Sequence, residues 1–464
     1  MATLRIFNQH IPAVFLVLAI VETFIFMAST YVGVGIRFYG LSADVIAQNI
    51  GGSVFPRALA FTVILGASMT SMGLYQKQYG SGVHGKLARI LLGFLGSMIA
   101  MSLLFYVAPS LYLGRGAVGI ALAIAFVGVV IVRVVFYKVH GILKRRIMVL
   151  GAGNRATKLL QTSAAEQRGF SFVGFIHVEG ENDLIGRDKL IAKDATLLQL
   201  AHRLDIDEIV VAVDDRRRDF PLDELLDCKM SGIDVIDVQS FFERETSKVK
   251  VDILHPSWLI FSEGFRQFAW SAFIKRGADI ICSLLLLILT LPFMVATAVA
   301  IRSEDRGPIL FRQVRVGKDG KLFRIVKFRS MRIDAESDGK ARWATQNDDR
   351  VTRIGRFIRK VRIDELPQVF NVLKGDMSFV GPRPERPEFV EQLAEKIPYF
   401  NERHRVKPGI TGWAQICYPY GASEEDALEK LQFDLFYAKN HNLMLDLTVL
   451  LQTVEVILFG KGAR

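Results

Sequence analysis

The chain has 464 residues, a length that as a prior corresponds to about three domains, and it carries a net charge of +11 with 51% hydrophobic residues. That apolar share and the mean hydropathy of +0.29 are high for a wholly soluble protein, and the excess is concentrated in the first third and in one later run. Three scattered cysteines, Cys228, Cys282 and Cys417, argue against a disulfide framework or a zinc site and fit a reducing cytosolic face, while the positive charge suits anionic lipid, nucleotide or nucleic acid without choosing among them.

Four apolar runs come first, at residues 11–36, 55–75, 87–108 and 117–139, each near the ~20 residues that a helix needs to cross a bilayer. The first is too long for the apolar core of a cleaved signal and lacks a small-x-small site near its end. Lys77, Lys86 and Arg89 surround the second connector, and Lys138, Lys144, Arg145 and Arg146 follow the fourth run. The first and third connectors hold only Arg37, Arg57 and Arg115. The positive-inside rule then places both ends of this bundle in the cytosol. Glu22, within the first run, is costly in hydrocarbon and is expected to face the bundle interior, where it bridges helices or serves a further role.

After the basic stop, Arg146-Ile-Met-Val-Leu-Gly-Ala-Gly-Asn-Arg-Ala156 reads as a strand entering a GxGxxA turn and then a helix. Such a turn lets backbone N–H groups approach a pyrophosphate. Strands at 172–177, 208–213 and 234–238 alternate with helices at 197–204 and 222–230, an α/β pattern with a mostly parallel sheet. Two readings stand: a bound dinucleotide, or a Rossmann-like module whose glycines serve only the turn and helix packing. A lone glycine fingerprint is a weak signal, and the second reading is preferred. Glu179 is the acid expected at the end of the second strand, and Asp214-Asp215-Arg216-Arg217-Arg218 reads as a solvated loop.

A fifth apolar run, 278–301, is also long enough to span, but Pro292 inside it removes a backbone donor and favours a kink. Lys275 and Arg276 precede this run, and Arg302, Arg306, Arg312 and Arg315 follow it. A crossing would put one basic cluster on the wrong side, with no later apolar run to bring the chain back. The expectation is a re-entrant helix broken at Pro292; a single span is the alternative.

From Arg302 to Arg362 there are 18 Lys/Arg against 8 Asp/Glu. Residues 309–316 and 321–328 read as strands joined by Gly317-Lys-Asp-Gly320, a hairpin signal. Arg353, Arg356, Arg359 and Lys360 then recur at helical spacing. This basic face can lie on anionic headgroups or clamp a diphosphate, and a site serving a lipid phosphate would do both. No nucleic-acid reading motif accompanies the charge, so nucleic acid is not an expected partner. Within this field lies Arg362-Ile-Asp-Glu-Leu-Pro-Gln-Val-Phe-Asn-Val-Leu-Lys-Gly375. Asp364 could cap a helix that Glu365 and Pro367 start and Gly375 ends. Alternatively, the two adjacent acids suit a carboxylate nucleophile with a proton acceptor or metal ligand.

Five ordered strings carry a resemblance: Lys275-Arg-Gly-Ala-Asp279, Lys327-Phe-Arg-Ser-Met331, Asp364-Glu-Leu-Pro-Gln368, Asn371-Val-Leu-Lys-Gly-Asp-Met-Ser-Phe-Val-Gly-Pro-Arg-Pro384 and Lys407-Pro-Gly-Ile-Thr-Gly-Trp-Ala-Gln415. With them the last ~200 residues resemble the bacterial sugar transferase domain of monotopic polyprenyl-phosphate phosphoglycosyl transferases. The whole chain is similar to the large membrane form: a four-helix transmembrane bundle (1–145), a Rossmann-like α/β module (146–262) and a monotopic α+β catalytic domain with a re-entrant membrane helix (263–464). The stretch 241–265 is similar to exopolysaccharide enzymes linked to exosortase systems.

The resemblance implies transfer of a hexose-1-phosphate, glucose or galactose, from a UDP-sugar to undecaprenyl phosphate at the cytosolic face of the bacterial inner membrane, initiating exopolysaccharide synthesis. Asp364 would form a covalent phosphosugar intermediate with release of UMP, and Glu365 would help deprotonate the acceptor. Mg2+ would be held by Asp364 and substrate phosphates. Arg359 aligns with a phosphate-binding arginine and Arg383 with a nucleotide-contacting one, with Lys327 and Arg329 supporting the cradle; a homodimer is also implied. One departure stands out: the family often has Ser before the helix-breaking proline, whereas Leu291 stands here, leaving Thr290 to satisfy a freed carbonyl. Two other readings remain. A membrane-tethered nucleotide-sugar epimerase on the Gly151/Gly153 turn would need a YxxxK pair, which does not follow the glycines. A non-catalytic membrane scaffold would tolerate Asp364→Asn.

Overall fold

The computed structural model describes residues 3–6, 9–50, 52–75, 83–142, 144–164, 169–215, 220–254, 256–262, 264–265, 269–335, 350–418, 421 and 423–458. Lys77 and Arg216–Arg218, singled out above, lie outside the described residues. The chain divides into two compact units, Met1–Glu245 and Thr246–Arg464.

The first unit opens with an antiparallel hairpin, β1 (Thr3–Ile6) and β2 (Gln9–Pro12), followed by four long apolar helices, Ala13–Arg37, Val54–Ser71, Val83–Val107 and Arg115–Ile142. These are long and apolar enough to cross a membrane. They pack around Phe26, Phe61, Leu65, Met69, Phe94 and Val129. Gly33 lets the first and fourth helices approach closely, because a Cβ there would stand 2.9 Å from the Ala117 carbonyl oxygen. Glu22 does face the interior. It is fully buried, accepts from Arg133 Nε at 2.7 Å and Nη2 at 2.9 Å, and also receives the Tyr75 hydroxyl. Arg133 Nη1 donates to the Leu74 carbonyl at 3.0 Å, so one acid ties three segments together.

A five-stranded parallel sheet follows, with β3 (Arg145–Leu150), β4 (Phe170–Ile176), β5 (Leu190–Ile191), β6 (Glu208–Val211) and β7 (Asp234–Asp237) in the order β5-β4-β3-β6-β7. The chain enters at the centre, winds to one edge, then crosses to the other. Buried runs such as Met148–Leu150 and Ile209–Val211 place these strands between covered faces. The two-residue edge strand β5 carries no periodicity and was not expected from the sequence. Arg145, Glu208, Arg244 and Glu245 close a buried ring of alternating charge: Arg145 bonds Glu208 at 3.1 Å and Glu245 at 2.5 Å, and Arg244 bonds Glu208 at 2.7 Å and Glu245 at 2.9 Å.

In the second unit the helix Ala269–Asp305 runs 37 residues with Pro292 inside it. The expected break is thus not an interruption of the helix. A leucine-rich run before it and an alanine-containing apolar run after it continue the helix, and the proline removes only the donor to the Ile288 carbonyl. Thr290 Oγ1 does bond back, but to the Leu286 carbonyl at 2.7 Å. The expected hairpin forms as β8 (Leu310–Val316) and β9 (Leu322–Phe328), antiparallel. β10 (Ser378–Val380) pairs in parallel with β11 (Gly409–Thr411). The glycines of those two motifs serve this pairing: a Cβ on Gly381 would overlap the Lys407 carbonyl, and one on Gly409 the Gly381 nitrogen. The core below them includes Val380, Phe400, Trp413, Leu431, Leu435 and Val449.

Candidate active site

The acid pair sits between two short helices, Arg353–Lys360 and Gln368–Lys374. Thr352 caps the first, its hydroxyl accepting from the Gly355 N–H at 2.9 Å, and Ile354, Gly355 and Ile358 turn inward while Arg353, Arg356 and Lys360 face out. Arg362 then adopts a left-handed conformation (φ 60°), which reverses the chain into a single 3-10 turn, Ile363–Glu365. That conformation is uncommon for a residue with a Cβ and marks a held turn. Gly375 (φ 99°) stops the second helix. Asp364 caps neither helix. Its Oδ1 is buried and accepts no hydrogen bond, so the capping alternative falls.

Three cations converge on Glu365: Lys327 Nζ at 3.2 Å, Arg383 Nη2 at 3.0 Å and Arg362 Nη1 at 3.8 Å, all at Oε1. Lys327 comes from β9, and Arg383 from the Pro-Arg-Pro turn after β10. Burial would raise the Glu365 pKa, but Lys327, Arg383 and Arg362 outweigh it and hold the group well below the usual carboxylate range. Asp364 moves the other way: burial and then the neighbouring Glu365 charge raise its pKa, against partial relief from Lys327, Arg362 and Arg383. Burial lowers the Lys327 pKa, with the Glu365 charge opposing.

The remaining expected residues are placed differently. Arg329 pairs with Asp305 at the end of the long helix rather than with the acid pair, and its Nη1 is buried without a partner. Arg359 is half-buried in the last turn before the acids. Asp305 borders an open groove with Glu304, Arg332, Ile333, Asp334 and Thr352, a groove that does not include the acid pair.

Several residues, some of them inside the strings quoted above, hold the site in place through contacts that the sequence did not assign to them. Asn371, 4% exposed, accepts from the Val326 N–H at 3.0 Å and donates to the Arg324 carbonyl at 2.8 Å, locking the second short helix to the strand that carries Lys327. Arg276 donates to the carbonyls of Val372 and Leu373 at 2.6 Å each, and Asp279 accepts from Ser378 Oγ and the Phe379 N–H at 2.9 Å. The Lys275–Asp279 string thereby fastens the start of the long helix to the site. Arg403 donates to the Arg383 carbonyl at 3.1 Å and pairs with Asp434 at 2.7 Å. Burial pushes the Asp434 carboxyl up to about 6.

Among the described residues no group of three His, Cys, Asp or Glu side chains could hold a metal. A magnesium ion asks for less, one or two carboxylates plus substrate phosphates. The orphaned, buried Oδ1 of Asp364 fits that modest role, whereas Glu365 is committed to three cations.

The acid pair is thus buried inside a cationic cradle, with Ile363 and Leu366 packed against the long apolar helix. The comparisons agree on the family: residues 270–460 match the bacterial sugar transferase family. A UDP-N-acetylgalactosamine-undecaprenyl-phosphate N-acetylgalactosaminephosphotransferase of Aeromonas hydrophila is 47% identical over 237 residues, covering 51% of this chain and 55% of that protein. A UDP-glucose:undecaprenyl-phosphate glucose-1-phosphate transferase of Klebsiella pneumoniae is 36% identical, covering 71% of each chain. An undecaprenyl-phosphate galactose phosphotransferase of Salmonella typhimurium is 31% identical, covering 70% of each. The chain belongs to the bacterial sugar transferase family.

Proposed function

We propose that this protein transfers a hexose-1-phosphate from a UDP-sugar to undecaprenyl phosphate, releasing UMP, as the first step of exopolysaccharide assembly. The observation that carries the reading is the unpartnered Asp364 oxygen beside a Glu365 held by Lys327, Arg383 and Arg362. An Asp364 oxygen attacks the phosphorus bonded to the sugar, and the bond from that phosphorus to the bridging oxygen breaks, so that UMP leaves with that oxygen. The phosphosugar then rests on the carboxylate. A phosphate oxygen of the acceptor attacks the same phosphorus, the bond to Asp364 breaks, and a lipid diphosphate sugar leaves.

Glu365 holds the cations in the free protein as the donor's diphosphate would hold them. When Lys327 and Arg383 turn to the diphosphate, the Glu365 carboxylate loses positive neighbours, becomes more basic and can take the acceptor's proton. Mg2+, held by Asp364 Oδ1 and substrate oxygens, would neutralise developing phosphate charge.

The membrane reading follows from the same unit. Arg276 and Asp279, near the start of the helix Ala269–Asp305, bond to residues 372–379, while Glu304 and Asp305 at its end bond to Arg353 and Arg329. A straight helix of 37 residues would reach ~55 Å, against ~30 Å of hydrocarbon. With both ends on one α/β body and basic flanks at each, the helix enters the cytosolic leaflet and returns to the same face, with Pro292 the weak point at which it would bend. The four earlier helices span the bacterial inner membrane.

The test is UMP release by the detergent-solubilised protein with Mg2+, undecaprenyl phosphate and a panel of UDP-sugars. Release is expected with one donor and lost in Asp364→Ala; release surviving that change overturns the assignment of the nucleophile.

A further inference from the structure

The glycine turn after β3 lies where the strand order reverses, between β3 and β6, the position at which parallel sheets of this kind take ligands. Three of its backbone donors are already engaged by carboxylates. The Ala152 N–H donates to Glu181 Oε2 at 3.1 Å, the Asn154 N–H to Asp214 Oδ2 at 2.8 Å and the Arg155 N–H to Asp214 Oδ1 at 3.0 Å. Glu181 Oε1 also receives the Asp214 N–H, so the two acids are coupled through the backbone. Arg155 Nη1 turns back to the Val213 carbonyl at 3.1 Å. Gly153 is needed because a Cβ there would overlap the Asp214 carboxylate itself, rather than the space of an outside molecule.

We propose that this turn is an anion site filled from within. Asp214 and Glu181 stand in the place of a dinucleotide pyrophosphate, and the module takes no nicotinamide dinucleotide through it. The inference is independent of the transferase reading. The Asp214 carboxylate satisfies the first N–H groups of the helix Asn154–Ala164 as a phosphate would, and Glu181 takes the Ala152 N–H of the turn just before it. An external pyrophosphate would have to displace both or sit against them, and like charge opposes that in either arrangement. The carboxylates come from two loops, so they pin the ends of β4 and β6 to the central turn. Asp214 lies in the loop read as solvated, but its carboxylate is engaged while Asp215 is exposed, and Glu181, two residues past Glu179, makes the contact at this strand end.

The experiment uses the full chain in detergent. NADH fluorescence titration of the wild-type protein should give no saturable signal at millimolar nucleotide. Hydrogen exchange should show the Asn154 and Arg155 amides protected in the wild type and exchanging at least tenfold faster in Asp214→Ala. Saturable NADH binding by the wild type overturns the proposal, and so does unchanged exchange in Asp214→Ala. If Asp214→Ala does not fold, Asp214→Asn serves for the exchange measurement, and the wild-type titration stands without any variant.

Discussion

Arg383 Nη2 lies 3.0 Å from Glu365 Oε1, and the backbone carbonyl of the same arginine is gripped by Arg403. The backbone of Arg383 is therefore fixed by a buried second arginine, and its guanidinium reaches the acid that the proposed mechanism exchanges for a diphosphate. Arg383→Met should reduce kcat/KM for the donor by roughly ten- to a hundredfold, from about 1.5–3 kcal/mol for a charge-assisted hydrogen bond. Steady-state UMP release checks this; an unchanged KM and kcat would remove Arg383 from the donor site.

Glu365→Gln separates the two half-reactions. A single-turnover assay without acceptor should still release one UMP per site, because Asp364 remains, while formation of lipid-linked sugar slows by roughly 10²–10⁴-fold, the range for a lost general base. Loss of both steps together would assign Glu365 a different role.

Burial and the Glu365 charge raise the Asp364 pKa. A protonated carboxyl is no nucleophile, so UMP release is lost as pH falls through that raised value and is retained above it. The acid limb should therefore lie above the ordinary aspartate value of about 3.9. Because the pair titrates together, the limb reports the pair rather than one residue. A kcat/KM flat down to that ordinary value contradicts the prediction.

Cysteine placed at Arg306 should resist membrane-impermeant thiol reagents added to intact cells and label after permeabilisation, since a helix that dips and returns leaves both ends on one side. Efficient labelling from outside would mean a true span.

Removing one member of the Glu22–Arg133 pair strands a buried charge, at a cost of about 3–5 kcal/mol. Glu22→Gln and Arg133→Met should each lower the yield of folded, monodisperse protein, and the double variant should recover part of it. A double variant no better than either single change would contradict this pairing.

How much of this was legible in the sequence depends on how local each signal was. The apolar runs, the β8–β9 hairpin and the adjacency of Asp364 and Glu365 are written in consecutive residues. The work of Asn371 is not, because its partners Arg324 and Val326 lie more than forty residues earlier, on strand β9. Likewise Glu181 and Asp214 meet the glycine turn from 29 and 60 residues away. Arg329 shows the converse: its motif pointed to the cradle, yet Asp305 holds it elsewhere. Local propensity also allowed Asp364 to be a cap, and only the left-handed Arg362 before it shows why the carboxylate turns away from both helix ends.

The buried ring of Arg145, Glu208, Arg244 and Glu245 has a topological consequence. Arg145 is the third residue after the fourth long helix ends at Ile142, and Glu245 is the last residue before the second unit begins. The two are ion-paired at 2.5 Å, so the chain enters and leaves the parallel-sheet module through one doorway. A module with neighbouring entry and exit can be inserted into a chain, or cut from it, without a long splice. The charge ring thus acts as a clasp on the sheet, tying the strand by which the chain enters to the segment by which it leaves.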